Sequence, residues 1–203
     1  QLNGKYAQAY IMCDETVEKS MVEEVAKSQV RMICDNEVSQ GAKIRVMPDV
    51  HPGKVGPIGL TMTVGKKILP SLVGIDIGCG MLAVKLGKIR NDFLKLDTVI
   101  RDNVPVGFAV RKDVHAYADR IDLSNLKCFS HIRSEKALIS LGTLGGGNHF
   151  IELDTAKNGE VFLIVHTGSR HLGKEVAEYY MKAGQDELKD NGINDISFEM
   201  TYL

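Results

Sequence analysis

The sequence has no long apolar run and no excess of charge of either sign. None of its hydrophobic stretches approaches the roughly 18 residues that a membrane-spanning helix needs. Its first residues, QLNGKYAQAY, lack the charged-then-apolar pattern of a signal peptide. The 25 Lys and Arg residues balance 26 Asp and Glu residues, so the overall charge favours neither nucleic acid nor a membrane as a partner. We therefore expect a cytoplasmic protein with no membrane association, in which any nucleic-acid contact comes from a local patch.

Cysteine is scarce and widely spaced. The four cysteines, Cys13, Cys34, Cys79 and Cys128, form no C-x-x-C pair, which excludes a zinc ribbon and a compact disulfide scaffold. Only Cys79 has unusual neighbours, because in LVGIDIGCGM it follows Asp76 by three residues among glycines. The competing interpretations are that Cys79 is a small buried apolar residue and that Asp76 only orders the loop.

The predicted elements indicate a single α+β domain over residues 1–203 with a large mixed β-sheet and flanking helices. The spacing of Val17, Met21 and Val25 predicts an amphipathic helix capped by Asp14. Strand, loop and strand are predicted over 42–64 and again over 66–87, and residues 104–132 show no clear pattern. Further helices are predicted over 91–102, 134–141 and from 172 to about 191, with strands at the end of 142–153 and within 160–173. Strands and helices mix without regular alternation, which favours α+β over a doubly wound fold.

Reactive side chains stand beside glycines at the predicted strand ends. They are Asp76, Cys79, Asn148, His149 and His166. Carboxylate, thiolate and imidazole are the main protein ligands of transition metals, so these positions predict a metal site. A hydrogen-bonded core histidine is the competing interpretation for His149.

Two segments predict an anion site. Three consecutive glycines in GTLGGG, 142–147, can expose backbone amides to a phosphate. In VHTGSR, Thr167, Ser169 and Arg170 offer two hydroxyls and a forked cation, although a solvated surface position is the alternative for Arg170.

The other polar candidates carry weaker signals. In MPDVHPGK, Asp49, His51 and Lys54 either assist an anionic site or only shape a turn. His115, His131 and His171 lack a ligand-like context, and we interpret them as structural.

With these segments in order, the chain resembles the RtcB family of GTP-dependent RNA ligases. The resemblance rests on MPDVHPGK, GIDIGCGM, GGGNHFIE and VHTGSR, four blocks in the order of the family between residues 47 and 170. It implies an enzyme that joins an RNA 3'-phosphate or 2',3'-cyclic phosphate end to a 5'-hydroxyl end, using GTP, manganese and a guanylylated histidine.

The resemblance also implies roles for individual residues. One manganese ion would be bound by Asp76, Cys79 and His149, and a second would share Cys79 and bind His166. The guanylate site would include residues 148–152, and Arg170 would face a phosphate. The residues of this guanylate site would be Asn148, His149, Phe150, Ile151 and Glu152. Ligand type alone instead favours zinc or iron, because a thiolate is soft and manganese is hard.

The sequence departs from the family in two places. His171 stands where the family usually has glycine, and none of the six histidines matches the block of the guanylylated histidine or of a further metal-binding histidine. We therefore expect the amino-terminal part of a longer enzyme, whose partners are RNA ends, GTP and the missing carboxyl-terminal part. The alternatives are a metal-dependent phosphoesterase and a non-catalytic nucleotide-binding or RNA-binding module.

Overall fold

The computed structural model describes residues 1–13, 16, 22–90 and 92–203. It divides into two compact units, one of residues 1–74 with 180–203 and one of residues 75–179. The α+β class predicted from the sequence is confirmed. The described strands form two sheets of four and three strands, where the sequence predicted one large sheet. The single domain over residues 1–203 stays a prediction.

The first unit is built on a mixed sheet. Its strands are β1 (Leu2–Asn3), β2 (Gln8–Ile11), β3 (Ile44–His51) and β4 (Ile58–Met62), in that order across the sheet. The pairing of β2 with β3 is parallel and the other two pairings are antiparallel. A parallel pair needs a crossover connection, and helix α1 (Glu24–Cys34) provides it.

Helix α1 covers one face of this sheet. Its buried residues include Ala26, Val30 and Ile33, which form one core with Ile44 and Val46 of β3. Helix α1 is thus amphipathic and begins at Glu24, but Val25, which the predicted spacing placed on the apolar face, is 58% exposed. The predicted cap at Asp14 and the periodic residues Val17 and Met21 lie outside the described residues.

Two details of the first unit differ from the prediction. Strand β3 continues through Asp49 to His51, with an irregular register after Val46, because Pro48 has no amide hydrogen for the ladder. Within 66–87, where strand, loop and strand were predicted, residues 70–73 form a short helix α2 (Pro70–Val73). Proline is favoured in the first helical turn, where its missing N–H removes no hydrogen bond, and this explains the helix.

The second unit contains an antiparallel sheet with β7 (Val161–Thr167) between β5 (Gly80–Gly87) and β6 (Phe150–Thr155). Its helices are α3 (Phe93–Asn103), α4 (Ser134–Ile139) and α5 (His171–Asp190), the last of which continues into the first unit. Residues 116–131, in the segment without a clear sequence pattern, contain three short 3-10 turns. No described helix is both long enough and apolar enough to cross a membrane.

The topology of the second sheet brings three loops together. His166, at the end of β7, pairs with Met81 near the start of β5 and with Phe150 at the start of β6. Because both neighbours are antiparallel to β7, each begins at the edge where β7 ends. The loops that enter β5 and β6 and the loop that leaves β7 therefore meet at one edge of this sheet.

Candidate functional site

Three predicted metal ligands lie together at this edge. The ligand atoms of Asp76, Cys79 and His149 are all within 4.8 Å of one another. His149 Nδ1 lies 2.8 Å from the carbonyl oxygen of Leu144, and its Nε2 lies 2.9 Å from Oδ2 of Asp76. A carbonyl can only accept, so Nδ1 carries a hydrogen, and Nε2 faces the carboxylate, which is itself an acceptor. A proton or a metal ion is therefore needed between these two acceptors.

His166 repeats this arrangement on the other side of Cys79. Its Nδ1 donates to the carbonyl of Gly80 at 3.1 Å, and its Nε2 lies 3.4 Å from Sγ of Cys79. A backbone carbonyl that accepts from one ring nitrogen and so orients the other is the usual second contact of a metal-binding histidine. The two imidazole rings are 5.5 Å apart and nearly perpendicular.

The protonation of the site follows from its burial and its contacts. Burial raises the pKa of Asp76, but hydrogen bonds from His149 and Cys79 more than offset this, so the pKa lies below its ordinary value. Burial and the neighbouring Asp76 carboxylate raise the pKa of the Cys79 thiol. To bind a metal ion as a thiolate, Cys79 would have to give up this proton to the ion.

Gly168 permits the close approach of Asp76. A Cβ atom at residue 168 would lie 2.2 Å from each carboxylate oxygen of Asp76, so no other residue fits without displacing the carboxylate. The preceding hydroxyl, on Thr167, donates to the Leu144 carbonyl at 2.9 Å, the same oxygen that accepts from His149. Thr167 therefore fixes the loop that orients His149, where the sequence suggested a phosphate contact.

Arg170 is held between two loops. It is the only non-glycine residue with a positive φ, 59°, among the described residues. Its guanidinium donates to the carbonyl of Gly107 and packs on Gly145, where a Cβ atom would overlap it. Its Nε is buried without a hydrogen-bond partner, as is Oγ of Ser169. These contacts exclude the solvated surface position that the sequence left open.

A cleft of about 530 Å³ lies within the second unit beside these residues. Asp76, His149, Asn148 and Arg170 line it together with the backbone of Gly146 and Gly147. Its lining also includes Phe108, Lys136, His171 and Lys174, which sequence reasoning missed as site residues. Residue 108 falls in the segment without a clear pattern, so no sequence signal could have placed it there.

The remaining predicted residues are not among the described residues that line the cleft. Phe150 contacts the ring of His166, with centroids 5.4 Å apart. By strand alternation Glu152 shares that face of the sheet and Ile151 faces the opposite side. Neither is among the described residues that line the cleft. Asp49, His51 and Lys54 belong to the first unit.

The histidines interpreted as structural make local contacts. Nδ1 of His115 accepts from the amide of Tyr117 at 3.1 Å, and the ring of His131 lies 4.9 Å from that of Tyr179. Burial lowers the pKa of His171, and its Nε2 lies 3.9 Å from a carboxylate oxygen of Glu175.

A family model described as tRNA-splicing ligase RtcB matches residues 29–127 and 115–203. The chain belongs to the RtcB family. It is 31% identical to the RNA-splicing ligase RtcB of Escherichia coli (strain K12), over 79% of this chain and 44% of that protein. It is 27% identical to the tRNA-splicing ligase RtcB of Thermococcus kodakarensis, over 73% of this chain and 42% of the relative.

A third RtcB relative, from Methanococcus maripaludis, is 25% identical over 90% of this chain and 48% of its own length. The chain therefore spans less than half the length of each of these three RtcB proteins.

Proposed function

We propose that this chain is part of an RNA ligase that joins RNA 3'-phosphate or 2',3'-cyclic phosphate ends to 5'-hydroxyl ends, using GTP and manganese. Membership of the RtcB family supports the reaction class. The observation that carries the proposal is the orientation of His149 and His166. Each donates from Nδ1 to a backbone carbonyl, which leaves Nε2 directed at Asp76 or at Cys79.

These residues fit two divalent metal ions that share one thiolate. The first ion would be held by Asp76, Cys79 and His149, and the second by Cys79 and His166. When bound, such ions offset phosphate charge and polarise the phosphorus under attack. The thiolate and imidazoles alone suit zinc or iron better, so manganese is proposed from the family.

The cleft supplies the neighbouring anion contacts. Arg170 donates to a phosphate of GTP or of the RNA end, because its guanidinium offers two parallel N–H groups. Asn148 lines the same cleft, and residues 148–152 form part of the guanylate site. We further propose that the guanylylated histidine is not one of the six in this chain and that the carboxyl-terminal part of the same protein completes the site. We propose a cytoplasmic location.

Metal binding is tested by calorimetry with manganese. Cys79→Ala removes the shared ligand, so we expect no measurable manganese binding in this variant. The matched control is Cys13→Ala, which removes a half-buried thiol in the first unit and is expected to bind like the wild type. Equal affinity of the wild type and Cys79→Ala would contradict the proposed ligands. Competition with zinc separates a general divalent site from one specific for manganese.

The reaction is tested with the protein made from the complete gene and an RNA that carries a 3'-phosphate. We expect a sealed product that requires GTP and a 5'-hydroxyl partner. Release of free phosphate without sealing would instead identify a phosphoesterase, and RNA binding with no product would identify a binding module.

A further inference from the structure

The ring of Phe108 is left in solvent at the cleft. Its relative exposure is 103%, the highest of the described large apolar residues, yet it lines the same cleft as Arg170 and Asn148. Phenylalanine is usually buried, whereas the described residues leave this ring fully exposed. We therefore expect a ligand to supply the apolar surface that covers this ring.

The backbone beneath this ring is fixed by the site itself. The Gly107 amide donates to the Gly145 carbonyl at 2.7 Å, and the Leu144 amide donates to the Pro105 carbonyl at 2.9 Å. Arg170 donates to the Gly107 carbonyl. The turn that presents Phe108 is thus bonded to the loop that orients His149 and to the candidate phosphate ligand. Because its backbone is already fixed, the turn loses little freedom when a ligand binds.

The surroundings of the ring define the class of ligand. Lys136, Arg170 and Lys174 line the cleft, which combines positive charge with one flat apolar surface. Positive charge that follows a phosphate backbone, together with an aromatic ring for the bases, is the combination used to bind single-stranded nucleic acid. RNA is bound at its unpaired ends and loops in the same way.

We propose that Phe108 stacks on a nucleobase at the RNA end whose phosphate is bound by Arg170 and Lys136. This inference rests on the proposed function, because it takes the ligand of the cleft to be RNA. The guanine of GTP has the same stacking chemistry, and the experiment below distinguishes the two. Stacking needs only a flat base, so Phe108 adds affinity with little selectivity among bases.

The test measures binding of a fluorescent single-stranded RNA with a 3'-phosphate to the protein made from the complete gene. Phe108→Ala should weaken binding about tenfold, and Phe108→Trp should restore it. The matched control is Phe93→Ala, which removes a 64% exposed ring that is not among the residues lining the cleft; it should bind like the wild type.

Salt dependence separates stacking from charge. A stacking residue releases no counterions, so Phe108→Ala should lower affinity equally at every salt concentration. Arg170→Ala and Lys136→Ala should instead reduce the slope of log affinity against log salt by about one each. An RNA that lacks its terminal base should bind the wild type about tenfold more weakly and lose nothing further in Phe108→Ala.

The other possible outcomes distinguish a failure of the stacking inference from a failure of the proposed function. If Arg170→Ala weakens RNA binding and Phe108→Ala does not, the stacking inference is wrong and the proposed function stands. If the wild type binds no RNA, both are wrong. If Phe108→Ala weakens binding of a fluorescent GTP analogue but not of RNA, the ring stacks on guanine and the RNA assignment is overturned.

Discussion

At the scale of single residues, a glycine decides where the carboxylate of Asp76 can lie. Gly168→Ala would place a methyl group 2.2 Å from both oxygens of that carboxylate, so Asp76 must leave its position beside His149. We expect manganese affinity to fall roughly 10- to 100-fold, measured by calorimetry. The control, Gly65→Ala, meets no atom within 4 Å and should bind like the wild type. Unchanged affinity in Gly168→Ala would show that Asp76 is not a ligand.

The rate of RNA sealing should depend on the forked shape of the Arg170 guanidinium more than on its positive charge. Arg170→Lys keeps the charge but cannot form two parallel hydrogen bonds to a phosphate. Loss of such a contact in the transition state costs about 2 to 3 kcal/mol, or roughly a hundredfold in sealing rate. Manganese affinity should be unchanged, because Arg170 is not a proposed ligand. A wild-type sealing rate in Arg170→Lys would contradict the phosphate contact.

The left-handed backbone of Arg170 allows a second comparison. A side chain at φ 59° costs about 1 to 2 kcal/mol that glycine avoids. Arg170→Gly should therefore be more stable to urea than Arg170→Ala by about 1 kcal/mol, although both lack the guanidinium and should seal equally slowly. Equal stability would mean that the loop relaxes when the arginine is removed.

At the scale of elements, an ion pair joins helix α5 to the start of α4. Glu175 accepts from the backbone amide of Arg133 at 2.8 Å and from its guanidinium at 2.5 Å, and its side chain is 12% exposed. Burial raises the pKa of Glu175, but the contacts with Arg133 outweigh this and leave the pKa below its ordinary value of 4.5. The depressed pKa means that the folded state favours the charged carboxylate.

Glu175→Gln should therefore destabilise the protein in a pH-dependent way. At pH 7 we expect a loss of about 1 to 3 kcal/mol in the free energy of unfolding, measured in urea. A depressed pKa contributes stability above the unfolded value that disappears as pH falls through the folded value. The difference from the wild type should thus shrink below about pH 4.5.

The control for this pair is Glu178→Gln. Glu178 is 55% exposed and lies 3.6 Å from Lys174, a surface pair that contributes little. A loss that is equal in the two variants, or independent of pH, would exclude the ion pair with Arg133 as the cause.

Most elements near the candidate site follow from local sequence. The strands predicted beside glycine-containing loops correspond to β5, β6 and β7, because β-branched and apolar residues bounded by glycine favour strands. The pattern of strand, loop and strand predicted over 66–87 did not include the short helix that a proline starts at residue 70. Apolar runs this short do not distinguish strand from helix.

At the scale of the whole molecule, this chain should not form a covalent guanylate by itself. We expect none of its six histidines to be the nucleophile, and two of them, His149 and His166, direct Nε2 at other candidate ligands. Incubation of the 203-residue chain with radiolabelled GTP and manganese should leave it unlabelled, whereas the protein made from the complete gene should be labelled. A labelled short chain would place the nucleophile among these six histidines.

The sequence by itself determined which residues are candidates for a metal site. Asp76 and Cys79 stand three residues apart among glycines, and His149 and His166 stand at strand ends, all of which is local information. Ligand type depends on the side chain alone, and glycine-bounded strand ends depend on a few neighbouring residues. The choice of candidate ligands was therefore possible before any contact was known.

Only the tertiary structure decided how those residues meet. The strand order β5-β7-β6 brings together residues that are distant in the sequence, such as Asp76 and His166, which are 90 positions apart. The carbonyls of Leu144 and Gly80 accept from Nδ1 of His149 and His166 and so set the tautomers of these two histidines. The same long-range pairing packs Arg170 against Gly145 and leaves Phe108 in solvent. Such contacts depend on which strands pair across the chain, and that pairing is settled by the packing of the whole sheet, which no local pattern encodes.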